Sequence, residues 1–223
     1  IGVTAHGYAS HTPVSDGEHV FAFFGKSGVF AFDLEGTELW NAPVGKESDP
    51  MRWGSSSSPI TYKDLVIVTA SAESQSIIAF DKATGKEVWR QEAAMLDNMW
   101  GTPLVANITD GRDDLILSVP GEIWGMDPET GKLRWHCKST GATRSHSSPI
   151  LGGDVVFAFT GRGGGSVAVK TGGSGDMSEE SVIWSGKDTA RFGSPVGYKS
   201  WVYLVANGII KAIDGRSGKE LDK

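Results

Sequence analysis

Arginine next to a large aromatic ring is the pairing in this chain best suited to recognising another molecule. Arg52-Trp53 is one such pair and Arg191-Phe192 another. Guanidinium can stack on a ring or take a carboxylate or phosphate in two parallel hydrogen bonds. Trp100, Arg144, His11 and His146 sit at comparable places, each one to four residues ahead of a Ser/Thr-Pro dipeptide. These eight residues form the candidate ligand-binding set. The five histidines are scattered, and a zinc site needs three or four converging ligands. Polar lining is therefore the role expected of His11 and His146. No nucleophile elbow of the Gly-x-Ser-x-Gly type turns from strand to helix, so no catalytic residue is assigned.

A second pattern concerns metal. Asn107-Ile108-Thr109-Asp110-Gly111-Arg112-Asp113 sets oxygen donors at near-alternate positions around a glycine. Asn107, Asp110 and Asp113 could wrap a calcium ion, and an ordinary Asp-Gly hairpin turn is the competing reading. Gly25-Lys26-Ser27 lacks the earlier glycine and the following helix of a phosphate loop. It reads as a hairpin turn, as does the glycine-rich stretch 161–165.

The spacing of the Ser/Thr-Pro dipeptides says what positions these residues. Pro13, Pro59, Pro103, Pro149 and Pro195 follow one another at 46, 44, 46 and 46 residues. A Gly-x-x-x-Trp series runs in phase, ending at Trp40, Trp89, Trp135 and, after a longer path, Trp184. Repeats of this length mean an array. Within the second repeat, Leu65–Ala70 is a β-branched run that suits a strand covered on both faces. Ser76–Asp81 is a further strand, and Lys86–Arg90 alternates polar and apolar. Four antiparallel strands per repeat describe a β-propeller blade. The fold class expected is all-β, with about five blades as one array over residues 1–223. The repeats run approximately 10–53, 54–99, 100–143, 144–190 and 191–223. Residues just ahead of each proline are then expected around the mouth of a channel. Each tryptophan is expected to fill a seam between blades, and each Asp before Thr-Gly to close its turn by side-chain hydrogen bonds.

The run Ala79-Phe80-Asp81-Lys82-Ala83-Thr84-Gly85-Lys86-Glu87-Val88-Trp89 resembles the quinoprotein-type, or PQQ-like, propeller repeat at every specified position. Gly125 to Trp135 matches at all but the first, and the fourth repeat has Lys170 in place of the Asp. The resemblance implies a ring of seven or eight blades, so five are expected to be part of a larger ring. It raises a quinone-dependent oxidoreductase as one alternative. Such enzymes resemble this chain in the blades, and commonly carry a disulfide between adjacent cysteines. Cys137 is the single cysteine, so that disulfide cannot form. The favoured reading is a non-enzymatic binding or scaffold module, similar to outer-membrane assembly scaffolds. A secreted propeller that binds sugar or calcium is the remaining alternative. The resemblance implies a periplasmic or extracellular location.

Composition narrows the partners. The net charge is −6 and lysine and arginine do not cluster, which argues against nucleic acid. No apolar run is long enough to span a bilayer as a helix. The chain begins at Ile1 without a charged segment and apolar core, so no signal peptide is expected in it and the chain reads as processed or truncated. A protein partner or a small ligand is expected, with no resident cofactor beyond calcium and with oligomers if the ring is incomplete.

Overall fold

A computed structural model describes residues 10–108, 111–161, 163–190, 193–206 and 208–221. Among the described residues twenty strands form five sheets, and apart from one added parallel strand each is an antiparallel meander in chain order. The first contains β1 (Val14–Ser15), β2 (His19–Phe23), β3 (Val29–Asp33) and β4 (Glu38–Ala42). The second contains β5 (Ile60–Tyr62), β6 (Leu65–Ala70), β7 (Ser76–Asp81) and β8 (Glu87–Glu92), with helix α1 (Ser71–Ser74) joining β6 to β7. The third has β9 (Leu104–Asn107), β10 (Asp113–Val119), β11 (Glu122–Met126) and β12 (Leu133–Lys138). The fourth is β13 (Ile150–Gly152), β14 (Val155–Phe159), β15 (Ser166–Lys170) and β17 (Val182–Gly186), while β16 (Gly175–Asp176) leaves it to pair in parallel with β12. The fifth has β18 (Val196–Tyr198), β19 (Trp201–Ala206) and β20 (Ile209–Asp214). These are propeller blades, as the repeat predicts.

The chain divides into two compact units. One is Ile1–Thr102 with Glu129–Gly131, and the other is Pro103–Pro128 with Lys132–Lys223. In the first unit all six residues of β6 are buried, as a β-branched run covered on both faces should be. Val66 and Val68 pack with Phe21, Phe23, Ile78 and Phe80 of the same core. In the second unit Ile116, Val156 and Val167 share one core, and Phe159, Val202 and Ile213 another.

Every anchor proline directly precedes the first strand of its blade, where no ladder donor is required. Its Ser or Thr has a separate task. The Thr12 N–H donates to Ser58 Oγ at 2.9 Å, the Ser58 N–H to Thr102 Oγ1 at 3.0 Å, and the Ser148 N–H to Ser194 Oγ at 3.0 Å. Each hydroxyl thus accepts the backbone of the preceding anchor, stitching one repeat to the next within each unit.

The tryptophans fill seams, and glycine admits them. Trp40 donates its indole N–H to Lys82 O at 2.7 Å, and a Cβ on Gly85 would lie 2.6 Å from its ring. Trp89 covers Gly131 in the same way, and Trp184 covers Gly218. The turns close as expected: Asp81 Oδ1 accepts from Thr84 N at 2.8 Å and Thr84 Oγ1 at 2.6 Å, and Asp214 Oδ1 accepts from Ser217 N and Oγ at 2.8 Å each.

Trp135 is the exception. It is fully buried and donates to Asp114 Oδ2 at 2.8 Å, within its own blade. Two sequence departures accompany this. The fourth repeat lacks the Asp-x-x-Thr-Gly turn that would receive the ring. The third repeat has Gly125 where the motif specifies alanine, and a Cβ there would lie 2.1 Å from the Trp135 indole. The extra residues of the fourth repeat form β16 instead, which covers the free edge of β12.

Candidate functional site

The loop between the first two blades is organised by one buried carboxylate. Asp49 is 2% exposed. Its Oδ1 accepts from Met51 N at 2.9 Å and Trp53 N at 3.3 Å, and its Oδ2 accepts from Gly54 N at 2.7 Å. Arg52 N donates to Asp49 O at 3.0 Å, and Arg52 adopts a left-handed φ of 56°. The loop presents Met51 and Arg52 to solvent. Trp53 packs on Trp100 with ring centroids 5.5 Å apart, and the Trp100 indole N–H donates to Gly54 O at 2.7 Å. The structure therefore brings Arg52, Trp53 and Trp100 together. Burial, with the Asp49 charge second, raises the Asp97 carboxyl above its usual range.

His11 belongs to a different cluster in the same unit. Its Nε2 lies 3.2 Å from Ser55 Oγ, which donates to Glu73 Oε1 at 2.8 Å. The imidazole packs on Phe23 with centroids 4.5 Å apart. Burial lowers the His11 pKa to about 4 and raises that of Glu73. Glu73 Oε2 is buried without a hydrogen-bond partner. This resembles a proton relay in composition, but the serine stands between the other two groups. A nucleophilic triad requires the histidine in the middle, so the arrangement does not activate Ser55.

In the second unit, His146 is half-buried and Arg144 exposed. The residues flanking His146 are pinned: Ser145 Oγ donates to Ser118 Oγ at 3.1 Å, and Ser147 Oγ contacts Ala190 O at 2.8 Å and Gly193 O at 3.0 Å. Arg191 and Phe192 lie outside the described residues. In both units the run ahead of proline alternates, with Ser55, Ser57, Ser145 and Ser147 buried and Ser56, Ser58, His146 and Ser148 half-exposed. Extended backbone accounts for this period of two.

Of the metal candidates, Asn107 and Asp113 face each other across β9 and β10, and Asn107 Nδ2 donates to Asp113 Oδ1 at 2.9 Å. Asp110 lies outside the described residues. Arg134 reaches the Asp113 carbonyl at 2.6 Å and the neighbouring Asp114 carboxylate at 2.6 Å. Among the described residues no group of three or more His, Cys, Asp or Glu converges for a metal.

The family described as "Outer membrane protein assembly factor BamB" matches residues 3–222. The chain belongs to this family. No curated protein matches it. Among solved structures, BamB from Moraxella catarrhalis superposes with a TM-score of 0.73 at 17% identity, covering 95% of this chain and 60% of that one. Quinohemoprotein alcohol dehydrogenase from Comamonas testosteroni gives 0.65 at 17% identity, covering 95% and 42%. The computationally designed Ika8 protein gives 0.61 at 16% identity, covering 95% and 60%. This BamB-family chain therefore spans less than two thirds of each of these three structures, and likeness at this identity establishes fold alone. Among the described residues, no helix is long and apolar enough to cross a membrane.

Sequence reasoning missed the acidic residues that organise this BamB-family chain. Asp49 and Glu73 sit in polar stretches that read as solvated loops. The one available signal was the unbroken run Ser55-Ser56-Ser57-Ser58, which holds more hydroxyls than a single turn requires.

Proposed function

We propose that this protein is a non-enzymatic assembly scaffold of the extracytoplasmic space that holds a protein partner. Family membership supports the class, since its description is an outer membrane protein assembly factor. The observation that carries the reading is the loop tied by Asp49. Six backbone and aromatic contacts fix it, so its exposed Met51 and Arg52 are presented with little ordering cost on binding. Trp53 against Trp100 supplies an aromatic anchor next in the chain to the exposed Arg52, the composition of an interface hot spot. A partner with an acidic group beside an apolar contact fits this surface.

The experiment places a photoreactive amino acid at Met51 in cells of the source organism and identifies cross-linked envelope proteins. A discrete cross-link that disappears on Arg52→Ala or Trp53→Ala, at unchanged thermal stability, supports the scaffold. Cross-links insensitive to both changes would overturn this surface. Titration with pyrroloquinoline quinone and Ca²⁺ tests the oxidoreductase alternative, and a bound quinone spectrum would displace the scaffold reading.

A further inference from the structure

The second unit contains a cavity of about 570 Å³ at the seam between its last two blades. It is walled by the β13–β14 turn, the β18–β19 turn and the turn that follows β20. The volume lies within the range of small-molecule sites. Phe157, Ile183 and Trp201 give it an apolar wall.

Glycines open the space where other repeats carry side chains. The second repeat turns through Tyr62-Lys63-Asp64 and the fifth through Tyr198-Lys199-Ser200, whereas the fourth turns through Gly152-Gly153-Asp154. The middle residues share one left-handed conformation, with φ of 48° at Lys63, 67° at Gly153 and 55° at Lys199. Lysine thus occupies the same turn elsewhere, and a Cβ on Gly153 would meet nothing within 4 Å, whereas one on Gly152 would lie 3.0 Å from the Phe157 ring, so Gly152 seats that wall and Gly153 leaves space. Gly197 makes the same point independently. A Cβ there would meet Ile150 at 3.6 Å and Leu151 O at 3.8 Å, ordinary contact distances. The backbone tolerates a side chain, and glycine leaves a void.

The walls are fixed. The Gly215 N–H donates to Ser200 O at 2.8 Å, and the Trp184 indole N–H donates to Gly215 O at 2.9 Å. On the opposite side Thr171 N donates to Asp154 O at 2.8 Å. Lys199 and Arg216 contribute two positive residues to the lining and Asp154 one negative, with the Lys199 ammonium resting over the Tyr198 ring 5.3 Å from its centroid. Asp214 Oδ1 accepts from Arg216 N at 3.1 Å, so a second carboxylate adjoins Arg216 outside the lining. The negative charge of Asp154 disfavours a doubly charged anion, and the planar guanidinium of Arg216 suits a carboxylate.

We infer that this cavity binds a monocarboxylate carried on an aromatic or aliphatic body, with the body on the Phe157–Ile183–Trp201 wall and the carboxylate at Lys199 and Arg216. A free organic acid and the C-terminal residue of a peptide share that chemistry. The lining shares no residue with the Asp49 loop, and Arg52→Ala is expected to leave binding here unchanged.

The test is calorimetric titration of the whole chain with N-acetyl-phenylalanine, with its carboxamide, and with a tripeptide ending in phenylalanine. The acid is expected to bind, and the amide to bind about tenfold or more weakly, since one charge-assisted contact is worth roughly that factor. Tighter binding of the tripeptide would assign the site to a chain end, and equal or weaker binding to a free acid. Lys199→Gln with Arg216→Gln should weaken the acid by a similar factor. Gly197→Leu should abolish binding with the melting temperature retained. Equal affinity for acid and amide, no binding at millimolar acid, or binding unaffected by Gly197→Leu would each overturn the inference.

Discussion

Trp40 of the first blade lies against Gly85 of the second, so close that a Cβ at position 85 would sit 2.6 Å from its ring. Gly85 also has a φ of 68°. Two costs would therefore fall on Gly85→Ala, a left-handed backbone and a displaced indole. Gly36 separates them, because it has a φ of 87° with nothing within 4 Å of a built Cβ. Gly36→Ala should cost about 1 kcal/mol, and Gly85→Ala about 2–4 kcal/mol. Urea unfolding followed by tryptophan fluorescence checks both. Equal losses would mean that the ring does not need the glycine.

Gly125→Ala tests why one tryptophan departs from the series. The added methyl would meet the Trp135 indole at 2.1 Å, deep in the core. Flanking strands leave the ring little room to shift, and a loss of about 3 kcal/mol is expected. Near-ultraviolet circular dichroism should change with it, because the ring loses its fixed place beside Asp114. A changed spectrum at unchanged stability would show that Trp135 can turn outward as Trp40 and Trp89 do, and no change in either would show that the core accommodates the methyl.

The anchor hydroxyls carry a smaller load. Ser58→Ala deprives the Thr12 N–H of its acceptor. Loss of one such bond near the surface should cost about 1 kcal/mol, with Ser58→Thr close to wild type. Amide exchange at Thr12 is the direct readout. Protection that persists in Ser58→Ala would mean the bond contributes nothing to the seam.

The blades were legible because their causes are local. Gly85 and Gly218 occupy turns that need positive φ, Asp81 and Asp214 cap those turns, and Leu65–Ala70 is buried on both faces. All three are visible in short windows of sequence. The seam role of Ser58 and Thr102 was not, although the repeat length is the separation of the paired residues. Asp49 and Glu73 were invisible for another reason. A carboxylate in a polar loop looks solvated until the backbone folds around it, and the hydroxyl run Ser55–Ser58 is the one local sign of it. The cavity beside Trp201 was hidden in the same way. Gly152-Gly153 reads as a turn, and only comparison with Tyr62-Lys63 in an equivalent blade shows that side chains are missing.

His11 and Glu73 make opposite demands on pH. Burial holds the His11 pKa at about 4, against 6.5 ordinarily. Between those values the unfolded chain binds the proton and the folded chain does not. The contribution of His11 is therefore complete above about pH 6.5 and is lost as pH falls toward 4. Glu73 is raised by burial, so the folded state binds more protons than the unfolded one above the ordinary carboxyl value. Its contribution is greatest in acid and declines as pH climbs through the raised value. His11→Phe keeps the packing against Phe23 and removes the first slope. Relative to this variant, wild type should lose on the order of 1–2 kcal/mol between pH 7 and pH 4. Glu73→Gln removes the opposing slope while Ser55 keeps an acceptor, so its stability should fall more steeply in acid than that of wild type. Urea midpoints for the three proteins across pH 4–8 decide the matter. Parallel curves would show that neither group titrates differently in the folded chain.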